Sequence, residues 1–159
     1  MINIIEETII GAPVEKVYKF MCNFDVLYKD WHPKSHIFCQ TLYGSIDKPG
    51  SIVHFLEILG WLPLYLPVQI TKVIPNQILE AEGIFPLSLL KLGRGGFYFK
   101  SVSKNKTKFT AYVHAGYNGI FGNLLEKIIW SLVPKSLVLD HMREEGENIK
   151  KYLFLHKEF

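Results

Sequence analysis

An imidazole and a carboxylate stand four residues apart in the segment Asp140-His141-Met142-Arg143-Glu144-Glu145-Gly146-Glu147-Asn148. At 3.6 residues per turn, the helical line through His141 runs back over Leu137, Pro134 and Trp130 and forward over Glu145, Asn148 and Tyr152. His141 and Glu145 therefore interrupt a largely apolar stripe and face inward together. Side chains one turn apart lie within about 6 Å at Cβ, so the pair can close on one cation or hydrogen-bond each other. Alone, an HxxxE pair reads as a histidine satisfied by its i+4 carboxylate, and the rest of the chain has to decide between the two.

The elements that must position this pair follow from periodicity. Asn3 to Ile10 is β-branched and loosely alternating, which predicts a strand. Gly11-Ala12-Pro13 then punctuates the chain, and Pro13 with Glu15 suits the first turn of a helix whose apolar face is Val14, Val17, Tyr18 and Met21. Asn23 to Trp31 predicts a second short helix, stopped at Pro33. Strands follow at 36–43, 51–59, 64–74, 78–84, 97–102 and 108–117, giving about seven with the first. From Ile120 the period turns helical, with Phe121, Leu124, Leu125, Ile128 and Leu132 on the early face, and Pro134 should kink or break the helix near Trp130. The order strand, two helices, six strands, long helix makes an α+β fold. A curved, mainly antiparallel sheet wraps around a long C-terminal helix and leaves an internal apolar cavity between them.

Composition agrees with one domain, 1–159, built around a cavity. Apolar residues make up 48% and aromatics 14% of the 159 residues, a rich supply that excludes disorder and suits an enclosed apolar space. The net charge of +3 comes from scattered lysines, and the one close run, Lys104, Lys106 and Lys108, falls at a hairpin turn. This leaves no footprint for nucleic acid. Cys22 and Cys39 form no CxxC and read as small core residues. The N-terminus meets Glu6 and Glu7 without the basic and apolar regions of a signal peptide, and the most apolar window, 52–68, is broken by His54, Glu57, Gly60, Pro63 and Pro67. The expectation is a cytoplasmic protein with no transmembrane segment.

The element order, the start Gly11-Ala12-Pro13-Val14-Glu15-Lys16-Val17-Tyr18 and the final helix resemble the START/polyketide-cyclase superfamily over essentially the whole chain. This helix-grip fold hosts ligand carriers, cyclases and a few hydrolases. The set Trp31-His32-Pro33-Lys34-Ser35-His36, Glu57 and the 141–148 segment resembles its diacetylphloroglucinol-hydrolase-like branch, whose metal-dependent members cleave a carbon–carbon bond next to a ketone. The resemblance implies zinc held by two histidines and two glutamates: His141, Glu145, Glu57, and either His36 or His32. His36 is preferred because it opens a strand. With no thiolate in the set, Mn²⁺ or Fe²⁺ also suits these ligands.

On Ser51 to Leu59, alternation puts Val53, Phe55 and Glu57 on one face and His54, Leu56 and Ile58 on the other. If Phe55 faces the core, so does Glu57, and a buried lone carboxylate would cost several kcal/mol unless it shared a cation; otherwise Glu57 faces solvent and His54 is a core histidine. Glu57 or Glu145 could instead be the base that takes a water proton. His32, Tyr98, Tyr112 and Tyr117 are the candidates for protonating a departing aromatic carbon, although His32 also suits a helix cap or the cavity mouth. His54, His114 and His156 read as surface or structural. The expected partner is a small apolar or aromatic ligand. Two other functions fit the same residues: a carrier of such a ligand, and a metal-free cyclase with acid–base pairs. The segments 61–67 and 85–90 are apolar enough for cavity-mouth loops or a homodimer surface, and either could touch a membrane. Gly93-Arg94-Gly95-Gly96 reads as a turn between strands rather than a phosphate cradle. Gly146 within a helix costs about 1 kcal/mol relative to Ala, which close approach of a neighbour would explain, as would tolerance.

Overall fold

The computed structural model describes residues 2–32, 34–90, 94–116 and 119–156. Strand β1 (Ile2–Ile10) leads into α1 (Val14–Cys22) and α2 (Phe24–Trp31). Six strands follow: β2 (His36–Tyr43), β3 (Ile52–Leu59), β4 (Leu62–Ile74), β5 (Ile78–Gly83), β6 (Arg94–Ser103) and β7 (Lys106–Ala115). A 3-10 turn, Leu87–Leu90, precedes β6, and helices α3 (Gly119–Leu132) and α4 (Lys135–Leu155) end the described chain.

The strands form one antiparallel sheet in the order β1-β7-β6-β5-β4-β3-β2. After β1 each strand pairs with its sequence neighbour, and β1 joins the far edge by pairing with β7 from Ile2↔Ala115 to Ile10↔Thr107. Alternation decides the faces. In β1, Ile4, Thr8 and Ile10 are buried while Ile5 and Ile9 are about half exposed. The inner face receives α4, and the core gathers Ile4, Val17, Phe20, Met21, Phe109, Met142 and Ile149.

Two glycines set how closely α4 lies on the sheet. A Cβ on Gly146 would clash with the Thr8 side chain, whose own Cβ would stand 2.9 Å away. Close approach is therefore the reason for a glycine in mid-helix. At the other end, Gly60 in the β3–β4 turn has φ +64° and leaves room for Leu137, which an added Cβ would meet at 2.8 Å. The left-handed backbone makes any other residue there strained as well.

Pro134 breaks the C-terminal helical segment between Leu132 and Lys135, slightly later than expected, and becomes the cap residue of α4. Arg94, Gly95 and Gly96 belong to β6 rather than to a turn, and Gly93 is outside the described residues. The absence of side chains at Gly95 and Gly96 serves close strand packing: a Cβ on Gly95 would meet the Tyr112 carbonyl at 2.7 Å, and one on Gly96 the Glu80 Cα at 2.9 Å. On α3, Leu124 and Ile128 are 57% and 50% exposed instead of lying on a buried face. The side chains of Phe121, Leu125 and Leu132 are outside the described set. Cys22 and Cys39 are free thiols.

Candidate metal centre

Local geometry brings the first two imidazoles together. His32 ends α2 at φ −142°, ψ 61°, and its carbonyl accepts the amides of Ser35 at 3.1 Å and His36 at 2.9 Å. That tight turn from α2 into β2 sets the two rings 4.8 Å apart between centroids. His36 is then the register partner of Glu57 on β3, and residues directly opposite in a sheet share a face. Leu59 and Val53, on the same face of β3 as Glu57, are buried. Glu57 therefore points inward, as the alternation with Phe55 predicts. His54 occupies the other face, between the Tyr65 hydroxyl at 2.9 Å and Gln40 at 3.1 Å.

The inward stripe of α4 completes the cluster. The His141 ring lies 5.0 Å from that of His32 and 5.9 Å from that of His36. His32, His36, His141 and Glu145 each offer one ligand atom, all within 4.8 Å of one another. His32 and His36 are only 3% and 1% exposed. Glu57 stands beside this set, with Oε2 3.6 Å from His141 Nε2. Both expected alternatives for the remaining imidazole, His36 and His32, are thus present at once.

Tyr28, which the sequence reading did not single out, organises one side of the cluster. Its ring stacks on His36 at 3.8 Å and 2°, its carbonyl faces His36 Nδ1 at 2.9 Å, and its hydroxyl donates to Glu57 Oε2 at 3.2 Å. A carbonyl oxygen can only accept, so Nδ1 carries the proton and neutral His36 keeps its lone pair on Nε2. That lone pair faces Glu145 Oε1 at 3.2 Å. Two acceptors so placed need a proton or a cation between them. An imidazole whose second nitrogen donates to a backbone carbonyl is also the usual preparation of a metal ligand.

Charge balance points the same way. Burial works against a charge on His141, but the neighbouring carboxylates of Glu57, Glu145 and Glu144 overcome it and hold its pKa up at about 9. Burial likewise opposes ionisation of Glu145, and His36, His141 and His32 together keep it below the usual carboxylate range. His32 is pushed down, by burial first and then by the other two imidazoles. Despite this crowding, His32 Nδ1 and His141 Nε2 are buried without a hydrogen-bond partner. His141 Nε2 lies 3.6 Å from Glu57 and 3.7 Å from Glu145, too far for hydrogen bonds. Donors on a tetrahedral zinc ion at roughly 2.0–2.1 Å stand about 3.3 Å apart. The His36–Glu145 separation of 3.2 Å serves a hydrogen bond and a shared cation equally well, the His141 separations of 3.6 and 3.7 Å are long for hydrogen bonds, and nitrogen and carboxylate donors gathered within 4.8 Å suit zinc.

Glu57 and His141 also line a cavity of about 570 Å³ between the inner sheet face and α4. Its wall is otherwise mostly apolar, with Val53, Phe55, Leu79, Phe97, Ala111 and Trp130 among the contributors. Tyr112 is not part of the cluster. It pairs across Gly96 with Glu80 and across β1 with Ile5, which is 51% exposed, so it belongs to the outer face. There it stacks on Tyr98 at 4.7 Å, and burial first, then hydrogen bonds to Tyr98 and Glu80, push its hydroxyl pKa up. Tyr98 donates to Glu80 at 3.1 Å on that same face. Tyr117 lies outside the described residues. His114 contacts Tyr112 on the outer face, and His156 caps α4; neither joins the site.

No family model and no curated protein matches the sequence. Among solved structures, the chain is similar to a START superfamily protein from Mycobacterium smegmatis, with TM-score 0.70 and 10% identity over 96% of this chain and 97% of that one. Truncated norcoclaurine synthase from Thalictrum flavum is similar with TM-score 0.72 and 12% identity, covering 98% and 94%. Major latex-like protein 151 from Panax ginseng gives TM-score 0.72 and 11% identity, covering 94% and 95%. Similarity at this level of identity is similarity of fold: the chain has the helix-grip fold of the START superfamily.

Proposed function

We propose that this helix-grip chain is a metal-dependent hydrolase, with zinc as the preferred ion, that cleaves a carbon–carbon bond beside a ketone in a small aromatic or polyketide-like substrate. His32, His36, His141 and Glu145 hold the cation. Glu57, tethered by the Tyr28 hydroxyl on the cavity side, takes the second of its two expected roles, that of proton acceptor. The observation that carries the reading is the convergence of buried donors at ion-sharing distances, with the His36 lone pair turned inward by Tyr28. A cation held there would need a fifth position beside these four donors, at which it would polarise a carbonyl or lower the pKa of a water toward about 7. The apolar wall binds the hydrocarbon body of the substrate and excludes bulk water, which strengthens the field of the charged groups on a bound ketone.

A carrier of apolar ligands is the second reading, favoured by the mostly apolar cavity wall. It gives the converged imidazoles no role beyond orienting a ligand. A metal-free cyclase would use them as acid–base pairs. Metal analysis of protein purified without chelator or affinity metal separates these. Near one equivalent of zinc, lost in Glu145→Ala, supports the hydrolase and directs assays to acyl-phenols. No metal, with none bound on adding it back at neutral pH, removes the hydrolase reading and leaves the carrier and the metal-free cyclase.

A further inference from the structure

Helix α3 has a surface unlike that of an ordinary amphipathic helix. Among its 14 residues, Gly119–Leu132, only Glu126 and Lys127 are charged. One side turns inward, where Ile129 and Trp130 line the cavity. The opposite row, Ile120, Leu124 and Ile128, is spaced four residues apart and is 92%, 57% and 50% exposed. Asn123, Lys127 and Ser131 interleave with this row on the exposed side, a mixed apolar and polar face of the kind that lies in a membrane surface. Trp61, in the β3–β4 turn, also lines the cavity and is 70% exposed, so α3 and this turn border the same cavity and form its rim.

We infer that this rim docks on an anionic lipid surface, with α3 lying in the headgroup plane. No described helix is long and apolar enough to cross a membrane, so α3 lies on the bilayer rather than through it. Two features favour lipid over a second copy of the chain. Lys127, exposed, falls within roughly 20° of Ile120 around the helix axis. In a twofold contact centred on this row it would be buried against its own copy, whereas on a membrane its stem lies along the apolar row and its ammonium reaches a phosphate. The exposed cation Lys135 carries the same sign, while Glu126 is turned to the Trp130 indole at 3.3 Å; Arg94, on the cavity wall, is paired with Glu82 at 3.2 Å. The rim would let an apolar ligand pass between bilayer and cavity without crossing water. This inference does not depend on the metal.

The test is flotation with phosphatidylcholine vesicles, with and without phosphatidylglycerol, with sedimentation velocity of the free protein alongside. Binding to the anionic vesicles, weakened about tenfold or more in Leu124→Glu, about fivefold or more in Lys127→Glu, and strengthened in Leu124→Trp, supports the inference. Both positions are exposed and outside the metal cluster, so melting temperature and metal content should be unchanged in each variant. Failure to float with anionic vesicles overturns the inference. So does a concentration-dependent dimer that Leu124→Glu abolishes, because it assigns the row to a second copy.

Discussion

Replacing Glu145 by Gln separates the two roles the carboxylate can play. In the metal-free protein, Glu145 Oε1 faces His36 Nε2 at 3.2 Å, and Nδ1 of that ring is committed to the Tyr28 carbonyl. A Gln at 145 can turn its amide N–H toward the Nε2 lone pair and replace one polar contact by another. Because His36, His141 and His32 hold Glu145 ionised against burial, metal-free Glu145→Gln should lose about 1–3 kcal/mol of stability. The metal response should not survive, because a neutral amide is a poor ligand. With excess zinc at about 100 times Kd, linkage stabilises the native state by about 2.7 kcal/mol. For a domain of this size that raises Tm by roughly 5–11 °C. Differential scanning calorimetry with and without zinc reads both numbers, and the expected pattern is a clear shift in the parent and none in Glu145→Gln. If Glu145 serves only as the buried counter-charge of His36 and His141, the parent has no metal response either. Breaking a buried pair then costs about 3–5 kcal/mol in the absence of metal, and zinc shifts neither protein. That result would refute the metal centre.

Three further outcomes are expected. His141 keeps its proton to about pH 9 in the metal-free protein, against about 6.5 when unfolded. It should therefore stabilise the fold fully below pH ~6.5 and lose that contribution as pH rises through about 9, a decline that His141→Gln removes from urea titrations, and zinc binding near pH 7.5 should release a proton, seen as buffer-dependent heat in calorimetry. Tyr28→Phe deletes the bond to Glu57 while leaving the ring and carbonyl on His36; it should cost about 1–3 kcal/mol and lower turnover while zinc stoichiometry is kept, and loss of zinc would show that Glu57 is a ligand. Gly146→Ala should destabilise by about 1–3 kcal/mol despite its better helix propensity, because of Thr8; Thr8→Ala should recover part of this in thermal melts, and a stabilised Gly146→Ala would contradict the close approach.

Local periodicity made much of the site legible. His141 and Glu145 share a helical stripe, and Glu57 shares a strand face with Phe55, because both relations depend on one element's own repeat. The seven strands and their order follow from the same signals with shifts of a few residues at their ends. Relations between elements were not legible. That both His32 and His36 reach the cluster depends on two amides folding back on one carbonyl, and no spacing rule announces it. Tyr28 looked like any tyrosine on a helix face, since its part comes from three contacts with two other strands. Tyr112 was left unplaced among the candidate tyrosines although a signal for its face was available: Lys108, Thr110 and Tyr112 form the polar alternation of β7, opposite Phe109, Ala111 and Val113. Leu124 and Ile128 obeyed helical periodicity, but periodicity does not reveal whether anything lies opposite an apolar row.

The strand order has a consequence in time. His32, His36 and Glu57 fall within 26 consecutive residues, at the end of α2 and on β2 and β3, so their half of the cluster needs only local pairing and can form early. His141 and Glu145 arrive on the last helix, and α4 can settle only where β1, paired with β7 more than 90 residues away, provides Thr8 for Gly146. Contacts so distant along the chain close slowly and late. During vectorial synthesis, then, three of the clustered polar groups wait without their partners until the C-terminal helix has left the ribosome. A cation offered to the nascent chain would meet an incomplete set of donors, and full-affinity loading would mark the completion of folding.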